Sequence, residues 1–322
     1  MGAVSRILIT GAAGFVGRAC VAEARRRGLK VTAVIRGPEP AEWVGDAGIA
    51  VLKADLADTA CRDHLGEAVA GADAIIHAAA HLGDQSTRHG ADTVGATENL
   101  LAVRGAARLV LVSSITVYDT MRLSPGDALT EESPLEDPDH ARDPYTAAKL
   151  RQEALCRASG APLWILRPGA IYGPGRTWHA LGGVSAGPLH VAITSDGELP
   201  LCHVDHVAQA HLTAACTDPG GIRALNVIDD DLPTRGQFLA AHRRITGWPG
   251  LSVPIPYPVW LTLARLLKPL GDRLPGLLRE PVLRARLMPL RYPNVALRAA
   301  LGGGDTAPFE ELLERAVREG GT

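Results

Sequence analysis

Short apolar runs alternate with stretches of helical periodicity through the first half of the chain. Arg6–Thr10 reads as a buried strand and Val16–Arg27 as a helix. Val31–Ile35 is a second strand and Ile49–Lys53 a third. Cys61–Val69 is helical, Ala74–His77 a strand, Thr93–Arg104 a helix and Leu109–Ser113 a strand. Tyr145–Ser159 is a long helix, followed by the strand Leu163–Arg167. Strands without polar alternation are buried on both faces, and their alternation with helices predicts a parallel sheet covered on both sides. Right-handed crossovers then give an α/β, doubly wound (Rossmann) fold.

The pattern changes after Pro168. Glycine and proline become frequent and apolar runs shorten. His206–Thr217 is a helix, Ala224–Ile228 a strand, and Thr234–Thr246 and Val259–Leu267 are helical. Phe309–Arg318 is a terminal helix with its apolar stripe at Phe309, Leu312, Leu313, Ala316 and Val317. The expected organisation is a first domain over 1–168 and a smaller, mostly helical lobe over 169–322, with 203–228 returning to the first domain.

The chain has 322 residues, is 46% hydrophobic, and carries a net charge of −2. Such a balance provides a sizeable core and argues against a nucleic-acid partner. Five cysteines (Cys20, Cys61, Cys156, Cys202 and Cys216) are scattered without metal-ligand spacing. They read as packed thiols, with no disulfide framework and no metal site expected. The first apolar run stops at a glycine turn rather than forming a signal peptide, so a cytoplasmic protein is expected. The longest apolar candidate, 251–267, is broken by Pro254, Pro256 and Pro258 and carries Arg265, so it does not read as a membrane span. Residues 255–267 remain a candidate for peripheral membrane contact or a hydrophobic pocket, with core packing the favoured reading.

Gly11, Gly14 and Gly17 follow a strand and open a helix, in Thr10-Gly11-Ala12-Ala13-Gly14-Phe15-Val16-Gly17. The first glycine permits a tight turn, the second a close approach to a pyrophosphate, and the third close helix–strand packing. Backbone N–H groups and the helix dipole then favour an anion there. This predicts nicotinamide dinucleotide binding by Gly11, Ala13, Gly14, Phe15 and Val16. Arg36 ends the second strand, where an arginine pairs with a 2′-phosphate and an acid would hold a 2′-hydroxyl. It points to NADP over NAD, with Glu39 and Glu42 nearby weighing the other way. Asp55, beside Leu56, is placed to accept from the adenine amino group. Ala78 and Ala79 are small enough to let the backbone run along the cofactor.

Tyr145 and Lys149 lie four apart and share a helix face. A tyrosine with a pKa near 10 is a poor base at pH 7, and a neighbouring ammonium lowers that pKa. Ser114 ends the preceding strand, placed to hydrogen-bond a substrate oxygen. The three form a proton-transfer site for a carbonyl/alcohol pair.

Together these motifs resemble the extended short-chain dehydrogenase/reductase family, of the NAD(P)-dependent epimerase/dehydratase type. The likeness runs through Thr10–Gly17, Asp55-Leu56, His77–Ala80, Thr97–Leu101, Ser113–Tyr118, Tyr145–Lys149, Arg167–Gly175, His203–Ala208 and Asn226-Val227. It implies a Ser114, Tyr145 and Lys149 catalytic set, an Arg167–Gly169 segment lining the nicotinamide with Pro168 and Ile171 at the cofactor, and a C-terminal substrate lobe. It also implies a homodimer through the Tyr145–Ser159 helix. Two positions depart from the family: Thr93 replaces a common asparagine, and His206 replaces a second aspartate. His206 reads as a helix-capping or satisfied structural histidine. The acidic linker from Tyr118 to Tyr145 is a candidate flap.

Dehydratases of the family carry an Asp-Glu pair after the catalytic hydroxyl residue, where this chain has Ile115 and Thr116. That argues against elimination chemistry. A nucleotide-sugar epimerase needs a grip on a diphosphate, for which Arg176 and Arg235 are candidates. A reductase or dehydrogenase of a secondary alcohol/ketone pair, acting on a small-molecule substrate, is favoured. A non-catalytic NAD(P)-sensing regulator is the reading from another class, and retention of Tyr145 and Lys149 speaks against it.

Overall fold

The computed structural model describes residues 4–82, 86–178, 183–186, 189–274 and 276–321. The first half runs β1 (Arg6–Thr10), α1 (Phe15–Arg26), β2 (Lys30–Ile35), β3 (Ile49–Lys53), α2 (Arg62–Ala70) and β4 (Ala74–His77). A short helix α3 (Ser86–His89) passes through a π turn (Gly90–Gly95) into α4 (Ala96–Val103). Then come β5 (Arg108–Val112), α5 (Pro144–Ala158) and β6 (Leu163–Pro168). The second half adds β7 (Ala170–Tyr172), β8 (Gly183–Ala186), β9 (Leu189–Thr194), β10 (Leu201–His203), α6 (Val204–Cys216) and β11 (Ile222–Val227). It ends with α7 (Arg235–Thr246), β12 (Leu251–Pro256), α8 (Tyr257–Leu267), α9 (Glu280–Leu287), α10 (Val295–Leu301) and α11 (Phe309–Gly320).

Seven parallel strands form the main sheet in the order β11-β6-β5-β4-β1-β2-β3. Successive side chains of each central strand enter opposite cores, as the two-residue strand period requires. Ile7 and Ile9 join α1 and α6 on one face. Leu8 joins α2, α4 and Cys156 of α5 on the other. The same split recurs in β5 and β6, where Val110 and Trp164 face α1 and α6 while Leu109 and Leu163 face the opposite layer. The order in which strands are added reverses between β1 and β4, and in such sheets the crevice at that switch point takes the ligand.

The second half is less purely helical than its sequence pattern predicts. It contains a three-stranded sheet ordered β12-β9-β8, with β9 parallel to β12 and antiparallel to β8. Pro254 and Pro256, which read as helix breakers, lie within β12. Proline is tolerated there because β12 is an edge strand. Leu251 and Val253 of that strand are exposed. In α11, Phe309, Leu312, Leu313 and Ala316 are buried. Among the described residues, no helix is long and apolar enough to cross a membrane.

The Tyr118–Tyr145 linker is pinned rather than flap-like. Tyr118 bridges Leu135, Ala128 bridges Arg291, and Leu129 is buried. Two of its acids hold fixed partners. Glu131 accepts the Asn226 amide at 2.8 Å, and Glu136 accepts the Arg142 amide at 2.8 Å and pairs with the Arg142 guanidinium.

Candidate active site

Apart from Arg167 and Arg235, the residues that sequence reasoning assigned to the site line one cleft of about 790 Å³ above the β1/β4 switch point. That volume lies within the range of small-molecule sites, roughly 300–1,000 Å³. Gly11, Ala13, Gly14, Phe15 and Val16 form one wall, Ala78 and Ala79 the floor, and Arg36, Asp55 and Leu56 one end. Ser114, Tyr145, Lys149, Pro168 and Ile171 form the other end.

The glycine turn is built on close backbone contact. Gly11 has a φ of +62°, open to glycine at little cost. A Cβ at Gly11 would lie 2.8 Å from the Ala79 backbone, and one at Gly17 would lie 2.2 Å from the Gly11 carbonyl oxygen. Gly14 begins α1 without a side-chain cap or an acid in the first turn. The N–H groups of that helix start are therefore directed at the cleft, and they fit a dinucleotide pyrophosphate.

At the β2 end, Arg36 is already engaged. Its Nη1 lies 3.2 Å from Asp92 Oδ2 and 3.9 Å from Asp55 Oδ1. Glu42 is turned away and pairs with Arg18. Asp55 accepts the Ala57 amide at 3.1 Å. Asp92 comes from the π turn and also lies 3.8 Å from His81 Nδ1. Neither Asp92 nor His81 was singled out from sequence. Each stands in a stretch with no local signature, and only the tertiary fold brings it to the cleft.

At the other end, Asp143 caps α5 by accepting the Thr146 amide at 2.8 Å, and Pro144 follows at the first turn, where its missing N–H costs nothing. Tyr145 and Lys149 are thereby fixed one turn apart. Tyr145 and Ser114 line the same end of the cleft. Burial pushes the Tyr145 phenol up to about 12, and the Ser114 hydroxyl beside it partly offsets the rise. Burial also lowers Lys149 to about 8, against the opposing attraction of Glu153. Its Nζ donates to the Val112 carbonyl at 2.8 Å and to Gln152 Oε1 at 2.9 Å.

Beneath this pair, Glu153 accepts Ser113 Oγ at 2.6 Å and two guanidinium N–H groups of Arg167, at 2.9 and 2.7 Å. Arg167 also donates to Tyr118 Oη at 2.9 Å, which donates to Asn226 Oδ1 at 2.7 Å. The network ties β5, α5, β6 and β11 together beneath the site, with only its Asn226 Nδ2 group left without a partner among the described residues.

Arg176 and Arg235 separate. Arg176 lines the cleft and lies over the Phe15 ring, 4.9 Å from its centroid. Arg235 is sealed in the core, donating to Ser195 Oγ at 2.7 Å and the Arg286 carbonyl at 2.9 Å. Burial lowers it to about 10. The diphosphate grip considered for Arg235 is therefore ruled out, because its donors point into the protein. Trp178 lines the cleft and packs its ring against Trp248 at 4.1 Å and His242 at 4.9 Å. Sequence gave no reason to place Trp178 there.

Two departures from the family pattern also resolve. Thr93 is buried in the π turn, and its Oγ1 accepts the His81 amide at 3.0 Å. His206 sits between Asp229, 2.8 Å from Nδ1, and Thr306, 3.1 Å from Nε2.

Fold and cleft together define an α/β protein with a nicotinamide dinucleotide site at the switch point of its sheet. The chain belongs to the NAD dependent epimerase/dehydratase family, whose model matches residues 7–227. A 4-hydroxy-2-methyl-3-oxo-4-farnesyl-3,4-dihydroquinoline-1-oxide ketoreductase from Stigmatella aurantiaca is 29% identical over 289 residues, which are 87% of this chain and 84% of the relative. A ceramide reductase from Caulobacter vibrioides is 28% identical over 273 residues, 81% of this chain and 77% of the relative. The solved UDP-glucuronic acid 4-epimerase from Bacillus cereus, in complex with NAD, shares the fold, with a TM-score of 0.69 at 18% identity over 96% of each chain.

Proposed function

We propose that this protein is an NAD(P)-dependent ketoreductase acting on a bulky, largely apolar carbonyl compound. The observation that carries the reading is the convergence of Ser114, Tyr145 and Lys149, the last two one turn apart on α5, at the end of a cleft that begins at the glycine turn. The dinucleotide, when bound, supplies or accepts the hydride. Ser114 hydrogen-bonds the substrate oxygen and orients it. Tyr145 donates its phenolic proton to that oxygen in reduction and removes it in oxidation. The Lys149 charge favours the phenolate and so returns Tyr145 toward its working range.

Three features favour reduction over epimerisation or dehydration. Ile115 and Thr116 carry no acid–base pair, Arg235 is unavailable to a diphosphate, and the two curated relatives described above are reductases. One relative is named for a farnesylated quinoline oxide and the other for ceramide, both large and lipid-like, and the Trp178 wall of the cleft suits such a substrate. NADP(H) is the favoured cofactor and NAD(H) is accepted: Arg36 turns from Asp92 to a 2′-phosphate, whose charge exceeds that of one carboxylate. A panel of long-chain and aromatic ketones, offered with NADPH or NADH and followed at 340 nm, tests the reading. Turnover of such ketones is the expected result. Turnover of UDP-sugars alone overturns it.

A further inference from the structure

Lys149 is held from behind by a buried chain of hydrogen bonds with only one self-consistent direction. Resting on the assignment of Lys149 to the proton-transfer site, we propose that Thr97 and Gln152 are positioning residues: the Thr97 hydroxyl decides which end of the Gln152 amide faces Lys149, and thereby holds the lysine as an ammonium. Thr97, Gln152 and His77 are all fully buried, so none of their polar groups is relieved by solvent.

The direction follows from counting protons. Thr97 Oγ1 donates to the Thr93 carbonyl at 2.6 Å. A hydroxyl has one proton, so its lone pairs can only accept from its other neighbours. One donor is Gln152 Nε2 at 2.9 Å and the other is His77 Nε2 at 2.9 Å. His77 therefore carries its proton on Nε2, and its Nδ1 accepts the Thr10 hydroxyl at 2.7 Å. Thr10 Oγ1 in turn accepts the Ala79 amide on the cleft floor at 3.2 Å. With Nε2 committed to Thr97, Gln152 presents Oε1 to Lys149. Reversing the amide would set N–H against an ammonium that has only donors, and oxygen against a hydroxyl with no proton to give.

The groups facing Lys149 leave its charge dependent on this acceptor. On its own helix, Glu153 is committed to Arg167 and Ser113, and burial keeps the Cys156 thiol protonated. From β4, His77 is pushed down to about 3 by burial and by Lys149 itself. From α6, His211 is lowered to about 4, chiefly by burial. Tyr145 is pushed up to about 12. Among the described residues, the ammonium's direct acceptors are thus two neutral oxygens, on Val112 and Gln152.

Only four lysines occur in the chain, Lys30, Lys53, Lys149 and Lys268, so ¹³C-lysine NMR resolves the Lys149 titration directly. Thr97→Val removes the accepting oxygen and frees the amide to turn. Its Lys149 midpoint is expected to fall by about one pH unit, a tenfold change in acidity. Thr97→Ser keeps the oxygen and is expected to keep the wild-type midpoint. Gln152→Met, which fills the space without an acceptor, is expected to fall as Thr97→Val does, and it decides the matter if Thr97→Val does not fold. An unshifted Lys149 in folded Thr97→Val or Gln152→Met overturns the proposal, as does an equal fall in Thr97→Ser. The titration needs no turnover. A shifted lysine in a protein that reduces no ketone removes the ketoreductase reading, whereas ketone turnover with an unshifted lysine removes this one.

Discussion

Glu153 and Arg167 meet fork to fork, with Oε1 2.9 Å from Nε and Oε2 2.7 Å from Nη2, both residues about 2% exposed. Removing one member leaves the other charged, buried and unpaired. Glu153→Met is expected to lower the free energy of unfolding by about 3–5 kcal/mol, read by urea titration. The double variant Glu153→Met/Arg167→Met is expected to recover part of the loss, because no isolated charge remains. A double variant less stable than the single one by the full additive sum would contradict this account.

Tyr145→Phe keeps the ring and removes only the hydroxyl. The turnover number is expected to fall by about 10²–10⁴-fold while dinucleotide affinity, measured by quenching of protein fluorescence, changes little. Near-normal turnover would remove Tyr145 from its role.

Ketone reduction is expected to hold steady below about pH 8 and to decline above it. Lys149 has a depressed pKa of about 8, so its charged form is present below that value and lost as pH rises through it. A rate profile flat to pH 10 would contradict the assignment.

Under the proposed NADP(H) preference, Asp92 competes with the 2′-phosphate for Arg36. Arg36→Ala is expected to cut the preference for NADPH over NADH by about 10–100-fold, the worth of one or two charge-assisted hydrogen bonds. Asp92→Asn is expected to raise that preference, since the guanidinium then loses its anionic competitor. Paired Kd measurements with the two cofactors check both directions.

Gly17→Ala places a methyl 2.2 Å from the Gly11 carbonyl oxygen, a backbone atom that cannot yield without moving the turn. Stability is expected to fall by about 1–3 kcal/mol, as for other overpacked sites, and dinucleotide affinity with it. Isothermal titration on the folded variant separates the two effects.

Much of the first half was legible because its signals are local. Ile7, Leu8 and Ile9 form an unbroken apolar run rich in β-branched residues, as suits a strand buried on both faces, and Gly11 soon follows. Tyr145 and Lys149 announce themselves by spacing. What could not be read depends on distant partners. Pro254 and Pro256 look like helix breakers until β12 proves to lie at a sheet edge. Arg235 looks like a surface charge until α7 buries it. Asp92 has no marked neighbours in sequence, and reaches Arg36 only because the π turn after α3 brings it to the cleft. The same limit hid Thr97 and Gln152, whose importance lies in the direction of a hydrogen bond rather than in residue type.

The edge strand β12 also guards the protein against itself. Its outward-facing residues include the exposed Leu251 and Val253, and an open apolar edge of that kind is a template on which another molecule can add a strand. Pro254 and Pro256 supply no N–H to such a strand. The ladder that would begin a chain of molecules therefore lacks donors at alternate positions, and replacing both prolines would turn this small sheet into a starting point for aggregation.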